Sequence, residues 1–236
     1  MIRVNKLLNK DVWDTVCDDP SCGEFRVEIK PEVRKALLRI AYDFLESLDP
    51  KMKFTDITLT GSMANYNYTD QSDLDLHVLF DFDAEGESGD LIQDLFNAKR
   101  RIWNDGHDIK VRDHDVELYA QDTNEPHHST GVFSVLRNKW LVVPQRTNPQ
   151  IDEEYVLKKS QDIMDRIDFL VDLEDKRSSL QNTKDKIMKM RKAGLERKGE
   201  FAEENLIFKT LRNTGYIGKL NDIIRNEYDR SVSLDQ

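Results

Sequence analysis

Three acidic residues and one Gly-Ser pair are the residues whose types and order suggest chemistry. Asp73 and Asp75 stand two apart in a segment that alternates polar and apolar residues, and Glu117 stands in a similar segment further along the chain. Side chains two apart on a strand share a face, so Asp73, Asp75 and His77 would point to one side. Two adjacent carboxylates repel each other, and a divalent cation that prefers oxygen ligands, Mg²⁺ or Mn²⁺, relieves that repulsion most simply.

Glu117 is the third carboxylate that a two-metal site needs. If its strand pairs beside the strand of Asp73 and Asp75, the three acids can hold two metal ions about 3.5 to 4 Å apart, an arrangement that stabilises the attacking and leaving oxygens of phosphoryl transfer. Asp115 shares the strand face of Glu117 and is an alternative third ligand. A solvated edge strand is the alternative for the aspartate pair, but it leaves the third acid and the Gly-Ser pair unexplained.

The Gly-Ser pair is Gly61-Ser62, which follows an alternating, β-branched segment at residues 54–60. Glycine has no Cβ, so the backbone of Gly61 can approach a phosphate group closely. The N–H group and the hydroxyl of Ser62 can donate hydrogen bonds to the phosphate oxygens. The residues therefore predict a site for a metal-chelated triphosphate.

The ordered motif resembles that of the nucleotidyltransferase (polymerase-beta-like) superfamily. In that superfamily a Gly-Ser pair is followed by a spacer, an acid-x-acid strand and a third acid on a later strand. Here the corresponding stretches read GSMANYNYTDQSDLDLHV and VELYAQD, and the resemblance covers residues 54–122, about a third of the chain. The wider run VELYAQDTNEPHHSTGVFSVLRNKW is also similar to that of small nucleotidyltransferases of tailed phages and bacteria.

The resemblance implies a role for each residue of the motif. Asp73 and Asp75 would ligate two metal ions, Glu117 would complete the site and help to activate the acceptor hydroxyl, and Gly61-Ser62 would hold the triphosphate. The implied reaction is attack of a hydroxyl on the α-phosphate of a nucleoside triphosphate with release of pyrophosphate. The acceptor would be an RNA 3′ end, a free nucleotide or a protein side chain. A catalytically inactive relative that only binds nucleotide or RNA is the alternative.

Two further expectations follow from the resemblance. A lysine from a helical half reaches the β- and γ-phosphates in relatives of the superfamily, and Lys209 is the candidate here. The spacer lacks a further glycine that some relatives have, and it carries tyrosines at residues 65–68 instead. These tyrosines could stack on a base or pack in the protein, and packing is favoured.

The elements that must position these residues form an α+β half followed by a helical half. We expect a nucleotidyltransferase-like mixed sheet with flanking helices in a catalytic domain at residues 1–148, and a helical domain at 149–236. Residues 1–25 show no sustained periodicity and are expected to form an irregular or partly paired segment. The remaining patterns predict a helix from Pro31, strands at 54–60, 72–80 and 115–120, a helix at 91–103, a hairpin at 131–143, and helices at 152–175, 180–192, 202–212 and 216–227.

Charge and composition narrow the functional classes. The 236 residues carry a formal charge of −10, which argues against a protein whose whole surface wraps nucleic acid. Lys176–Lys198 contains nine basic and two acidic residues, which predicts contact with a triphosphate or an RNA backbone, or a solvated helix face. No apolar run approaches the roughly 20 residues of a membrane helix, and residues 1–10 lack a signal-peptide stretch, so we expect a cytoplasmic protein without a membrane partner.

The cysteines and histidines carry less information. Cys17 and Cys22 lie in an acidic loop without a local histidine, and the expectation is two free thiols, with a disulfide as the alternative. His127-His128 is expected to be structural or exposed. His77 shares the face of the aspartates, so contact with substrate and a bystander role both remain open.

Overall fold

A computed structural model describes residues 4–17, 24–48, 53–125, 129–146, 149–174 and 176–234. The chain forms two compact units, Met1–Asn148 and Pro149–Gln236, which we call the sheet unit and the helical unit. The sheet unit contains a mixed six-stranded sheet with flanking helices, and the helical unit contains helices alone among its described residues. The predicted α+β class is therefore confirmed.

The sheet unit contains two sheets. β1 (Trp13–Cys17) and β2 (Arg26–Ile29) form an antiparallel pair. The larger sheet has the order β5-β6-β4-β3-β7-β8. Its strands are β3 (Phe54–Thr60), β4 (Leu74–Phe80), β5 (Lys110–Val111), β6 (His114–Asp122), β7 (Val132–Ser134) and β8 (Lys139–Val142). All neighbours are antiparallel except β4 and β6, which are parallel.

Two helices flank this sheet, α1 (Pro31–Glu46) and α2 (Gly89–Gly106). Proline at the first position of α1 is preorganised for a helix start, and the apolar stripe of α1 is buried at helical spacing. A parallel strand pair needs a long crossover connection, and α2 lies in the connection between β4 and β6. Phe80 of β4 and Phe96 of α2 are buried edge to face with ring centres 4.8 Å apart.

β4 shows why the sheet has one apolar and one polar face at the predicted site. Leu74, Leu76 and Val78 are fully buried, whereas Asp75 and His77 between them are half-buried. This alternation is the period of two that a strand imposes on its side chains. The apolar residues therefore fix the strand in the core and turn Asp75 and His77 to the opposite face.

The helical unit contains α3 (Glu153–Val171), α4 (Lys176–Lys198), α5 (Glu203–Asn213) and α6 (Tyr216–Val232). Asp152 caps α3 by accepting a hydrogen bond from the N–H group of Tyr155. In α5, Leu206, Ile207 and Leu211 are buried, as the spacing of apolar residues predicts. None of the helices that the structure describes is long and apolar enough to cross a membrane.

Part of the first 25 residues is paired, which agrees with the second of the two expectations, an irregular or a partly paired segment. β1 pairs with β2 with a register shift between Thr15 and Cys17, and Trp13 at the start of β1 donates a hydrogen bond from Nε1 to the carbonyl of Met63 at 2.8 Å. The Trp13 ring also packs against Phe133 and Trp140, which are distant in the sequence, so local periodicity could not reveal it. Cys17 is disulfide-bonded, so the expectation of a free thiol is wrong for this residue. Cys22 lies outside the described residues.

Candidate functional site

The parallel pairing of β4 with β6 brings two of the predicted acids together. Asp75 is the register partner of Glu117, and His77 is the register partner of Tyr119. On the other side of β4, antiparallel pairing places Thr60, the last residue of β3, opposite Asp75. Neighbouring strands are about 4.8 Å apart, so the two carboxylates belong to adjacent residues on one face of the sheet.

Gly61 lies directly against the carboxylate of Asp75. Its backbone has φ 70° and ψ −158°, a combination that is essentially restricted to glycine. A Cβ atom at this position would stand 1.8 Å from Oδ2 of Asp75, which is a collision. The structure therefore brings Gly61, Asp75 and Glu117 into one cluster, which we call the acid cluster.

Ser62 and Asp73 flank this cluster. Ser62 starts a short 3-10 helix, Ser62–Ala64, and its hydroxyl donates to Oγ of Ser72 at 3.0 Å. Ser72 immediately precedes Asp73, which is half-buried and lies one residue before β4. The Ser62 hydroxyl thus connects the Gly-Ser turn to the segment that carries Asp73, and this contact was not anticipated from the sequence.

Tyr119 supports the acid cluster from β6. Burial, the negative charges of Asp75 and Glu117 and a hydrogen bond with Glu117 raise the pKa of Tyr119 far above its usual value, while Arg100 opposes the shift. The phenol therefore stays protonated at neutral pH and donates to Glu117. The ring of His77 stacks on Tyr119 with centroids 4.6 Å apart.

His77 is also fixed by Gln121, because its Nδ1 lies 2.6 Å from Oε1 of Gln121. The imidazole is thus held on the face of the acid cluster by a ring contact and a polar contact. These contacts position His77 beside the acid cluster.

Asp115, the alternative third ligand, has a different environment. It is exposed, and its Oδ1 lies 2.7 Å from Nζ of Lys110 on the edge strand β5. The hydrogen bond with Asp115 and its negative charge raise the pKa of Lys110. The geometry therefore favours Glu117, the register partner of Asp75, over Asp115.

The spacer tyrosines pack in the protein. Tyr66 is 2% exposed, and the guanidinium carbon of Arg146 lies 5.0 Å from the centre of its ring. Tyr68 donates from its hydroxyl to the carbonyl of Leu7 at 3.2 Å, and burial raises its pKa. The favoured interpretation, packing, is confirmed for Tyr66.

The donor set of the acid cluster fits a hard cation. Carboxylate oxygens are the ligands that Mg²⁺ and Mn²⁺ prefer, and a Cβ atom at Gly61 would displace the carboxylate of Asp75. Within the described ranges, however, no group of three or more His, Cys, Asp or Glu side chains is already arranged to hold a metal ion. Asp75 and Glu117 are adjacent, and Asp73 would be the third ligand.

The remaining predicted residues belong to the helical unit or fall outside the described residues. Lys209 belongs to α5 in the helical unit, where its Nζ lies 3.9 Å from Oε2 of Glu200. His127 and His128 lie outside the described residues.

Eight of the nine basic residues of α4 fall into two groups, and the ninth, Lys184, is half-buried. Five of them contact partners within the helical unit, in ion pairs or over aromatic rings: Lys176, Arg177, Arg191, Arg197 and Lys198. Lys186, Lys189 and Lys192 are exposed. Part of the positive charge therefore balances acids of the same unit, and part faces solvent.

Comparison with known proteins gives no match: no family model matches the chain, and neither a curated protein nor a solved structure does.

Arg100 of α2 is a residue of the site that sequence reasoning missed. Its guanidinium carbon lies 5.0 Å from the centre of the Tyr119 ring. In the sequence Arg100 is one of several basic residues in the polar part of an amphipathic helix, and no local pattern distinguishes it from Arg101. Its position depends on how α2 packs against β6, which is a tertiary contact.

Proposed function

We propose that the chain is a metal-dependent nucleotidyltransferase of the polymerase-beta-like kind. It would transfer a nucleoside monophosphate from a nucleoside triphosphate to a hydroxyl acceptor and release pyrophosphate. The observation that carries the proposal is the register of Asp75 with Glu117 on parallel strands, with the backbone of Gly61 against the Asp75 carboxylate. The ordered motif of Gly-Ser, Asp-x-Asp and a third acid supports it independently.

The arrangement favours a catalytic over a purely structural role for the acids. Two half-buried carboxylates on adjacent strands repel each other, and this repulsion lowers stability unless a cation is bound. Position 61 also requires glycine, because a Cβ atom there would collide with the Asp75 carboxylate, and the bare backbone can approach a phosphate group closely. Both features suit a site for a cation and a phosphate.

The residues have complementary roles in the proposed reaction. The acceptor oxygen attacks the α-phosphorus, the bond from this phosphorus to the bridging oxygen of the β-phosphate breaks, and pyrophosphate leaves with the bonding electron pair. The hydroxyl proton passes to the carboxylate of Glu117 and then to solvent. Tyr119 donates to Glu117 and orients its carboxylate. The backbone N–H groups at Gly61-Ser62 hold the triphosphate.

Asp73, Asp75 and Glu117 would hold two Mg²⁺ or Mn²⁺ ions, which in such sites polarise phosphoryl oxygens and lower the pKa of the acceptor hydroxyl. The chain itself supplies the carboxylate ligands and their fixed spacing. Because Asp75 and Glu117 are register partners in a sheet, their Cα positions are set by backbone hydrogen bonds rather than by a loop.

The helical unit is proposed to contribute cations. Lys209 is the candidate for the β- and γ-phosphates. The exposed lysines of α4, Lys186, Lys189 and Lys192, are candidates for an RNA backbone, since phosphate contacts from lysine dominate non-specific affinity for nucleic acid. Their replacement by alanine should then weaken transfer to RNA and leave transfer to a small acceptor unchanged.

The first experiment is label transfer. Each nucleoside triphosphate labelled at the α-phosphate is incubated with the chain, Mg²⁺ or Mn²⁺, total RNA and total protein, and the fractions are then separated. The Asp73→Ala variant is tested in parallel. Label in one fraction that is absent with Asp73→Ala supports the proposal and names the acceptor class and the base. Pyrophosphate release without label in either fraction points to a small nucleotide product.

A matched pair of variants tests which acid is the third ligand. Glu117→Gln should abolish transfer, whereas Asp115→Asn should retain it, because Asp115 is paired with Lys110 at the sheet edge. The reverse result would reassign the third acid. No turnover with any nucleotide and either metal would contradict the proposal and favour a relative that only binds nucleotide or RNA.

A further inference from the structure

Arg100 is a half-buried cation near the acid cluster, and it is not ion-paired directly with any described residue. Within the described part of the chain it forms no ion pair and no hydrogen bond, and its Nε is fully buried without a partner. Its one described contact is with the face of the Tyr119 ring, whose hydroxyl bonds to Glu117. A buried polar group without a partner costs free energy, so this arrangement indicates an anionic ligand that completes it.

The position of Arg100 is fixed by the contact between α2 and β6. Asn104 donates from Nδ2 to the carbonyl of Leu118 at 3.0 Å and accepts from the N–H group of Leu118 at 3.2 Å. It thus binds both backbone groups of one β6 residue, as a neighbouring strand would. Arg100 lies four residues earlier, on the same side of α2, which directs it to the Tyr119 side chain.

We propose that Arg100 is a phosphate-binding residue of this site, which contacts a phosphate group of the nucleotide bound at Asp75 and Glu117. The inference rests on the proposed function and adds a residue to it. The guanidinium group is planar, always charged and matches two phosphate oxygens at once. The Tyr119 ring orients the guanidinium group through a cation–π contact. An incoming triphosphate supplies both the counter-charge and an acceptor for the arginine.

The test measures binding without turnover. Non-transferable α,β-methylene analogues of ATP, GTP, CTP and UTP are titrated calorimetrically with Mg²⁺ into the full chain and into Arg100→Gln and Arg100→Lys. We expect Arg100→Gln to weaken binding about tenfold to a hundredfold, the range for a charge-assisted hydrogen bond. The affinity of Arg100→Lys should lie between those of Arg100→Gln and the natural chain, because lysine keeps the charge but does not match two phosphate oxygens at once.

Arg101→Gln is the matched control. It makes the same change in charge one position further along α2, at an exposed residue. It should bind within about twofold of the natural chain, since exposed charges are screened. Far-ultraviolet circular dichroism and thermal unfolding verify that each variant is folded. Arg100→Gln should weaken the binding of inorganic tripolyphosphate with Mg²⁺ by the same factor as the binding of the analogues, because the contact is with phosphate and not with the base.

The outcomes separate this inference from the proposed function. If an analogue binds equally strongly to the natural chain, to Arg100→Gln and to Arg101→Gln, the role of Arg100 is overturned. The proposed function is then left intact. If the natural chain binds none of the four analogues, the proposed function is overturned, and tripolyphosphate decides the inference. Tripolyphosphate binding that Arg100→Gln removes supports a phosphate site at Arg100, and absence of such binding overturns it.

Discussion

The two ends of the β3–β4 strand pair each carry an aspartate, and the two aspartates have opposite surroundings. Asp56 is 5% exposed, and its Oδ1 accepts hydrogen bonds from the Ser134 hydroxyl at 2.7 Å and from the N–H group of Ile57 at 2.8 Å. Its Oδ2 lies 3.5 Å from Nε of Arg137. Donors and a cation therefore surround this carboxylate from within the protein.

Asp75 lies at the other end, opposite Thr60, and its neighbour on the parallel strand is a second acid, Glu117. The backbone of Gly61 lies against its Oδ2. The comparison shows how burial and partners distinguish acids of one type on one strand pair. The donors and the cation around Asp56 indicate a structural role, whereas Asp75 has a second acid as its register partner, in keeping with the cation site that we propose.

The largest effect is expected for Asp75→Asn. It should lower transfer by at least about a thousandfold, because a metal ion contributes several kcal/mol to transition-state stabilisation. The thermal unfolding midpoint should rise or change little, since the substitution removes repulsion between Asp75 and Glu117. Label transfer and calorimetric unfolding measure the two quantities. A strong loss of stability together with retained transfer per folded molecule would assign Asp75 a structural role like that of Asp56.

Gly61→Ala should have the next largest effect. The new Cβ would stand 1.8 Å from Oδ2 of Asp75, and the backbone has φ 70°, so the carboxylate or the turn must move. We expect transfer to fall about a hundredfold, the cost of displacing a catalytic group by about 1 Å. The strained backbone should also cost about 1–3 kcal/mol of unfolding free energy. Gly106→Ala is the control, because a Cβ there meets nothing within 4 Å.

Asp56→Ala should give the opposite pattern to Asp75→Asn. It leaves the Ser134 hydroxyl and the Ile57 N–H group without their acceptor and removes the partner of Arg137. The unfolding free energy should fall by about 2–3 kcal/mol, the cost of unsatisfied buried donors. Transfer per folded molecule should be unchanged. Denaturant titration measures the unfolding free energy. Loss of transfer in a folded Asp56→Ala protein would remove the distinction between the roles of Asp56 and Asp75.

The sequence predicts most of this fold because most elements have a local signal. The β-branched segment at residues 54–60 coincides with β3, and the alternation around Asp75 predicts β4. β1 lies in a segment for which the sequence predicts only irregular or partly paired structure, because the strand depends on pairing with β2 and on packing of Trp13 against distant aromatic rings. β5 was missed because two residues are too short for any periodicity.

The site could be predicted only in part. Strand periodicity places Asp75 and Glu117 on the polar faces of their strands. Their proximity depends in addition on the pairing of β4 with β6, which is present in the structure. The difference between Asp56 and Asp75 has no local sequence signal, because it depends on Ser134 and Arg137 far along the chain. The position of Arg100 likewise depends on the packing of α2, so a sequence pattern cannot identify it.

An aspartate in the helical unit extends the comparison to an exposed carboxylate with a partner. Asp168 accepts hydrogen bonds from Nζ of Lys219 at 2.6 Å and from the Tyr216 hydroxyl at 2.7 Å, and these bonds, that of Lys219 first, lower its pKa. A lowered pKa in the folded state stabilises the protein above the unfolded value of about 3.9, and the contribution is lost as the pH falls through the lowered value. Lys219→Ala should therefore cause the smallest change of the four.

The difference in unfolding midpoint between Lys219→Ala and the natural chain should have its full size near pH 6 and should become smaller below about pH 4. High salt should shrink it as well, because solvent screens exposed pairs. Thermal unfolding followed by circular dichroism over this pH range measures the difference. A difference that persists unchanged at low pH and high salt would mean that Lys219 acts through packing of its side chain. In that case Lys219, the partner of the exposed carboxylate of Asp168, would contribute to stability through packing, unlike the hydrogen-bonding partners of buried Asp56.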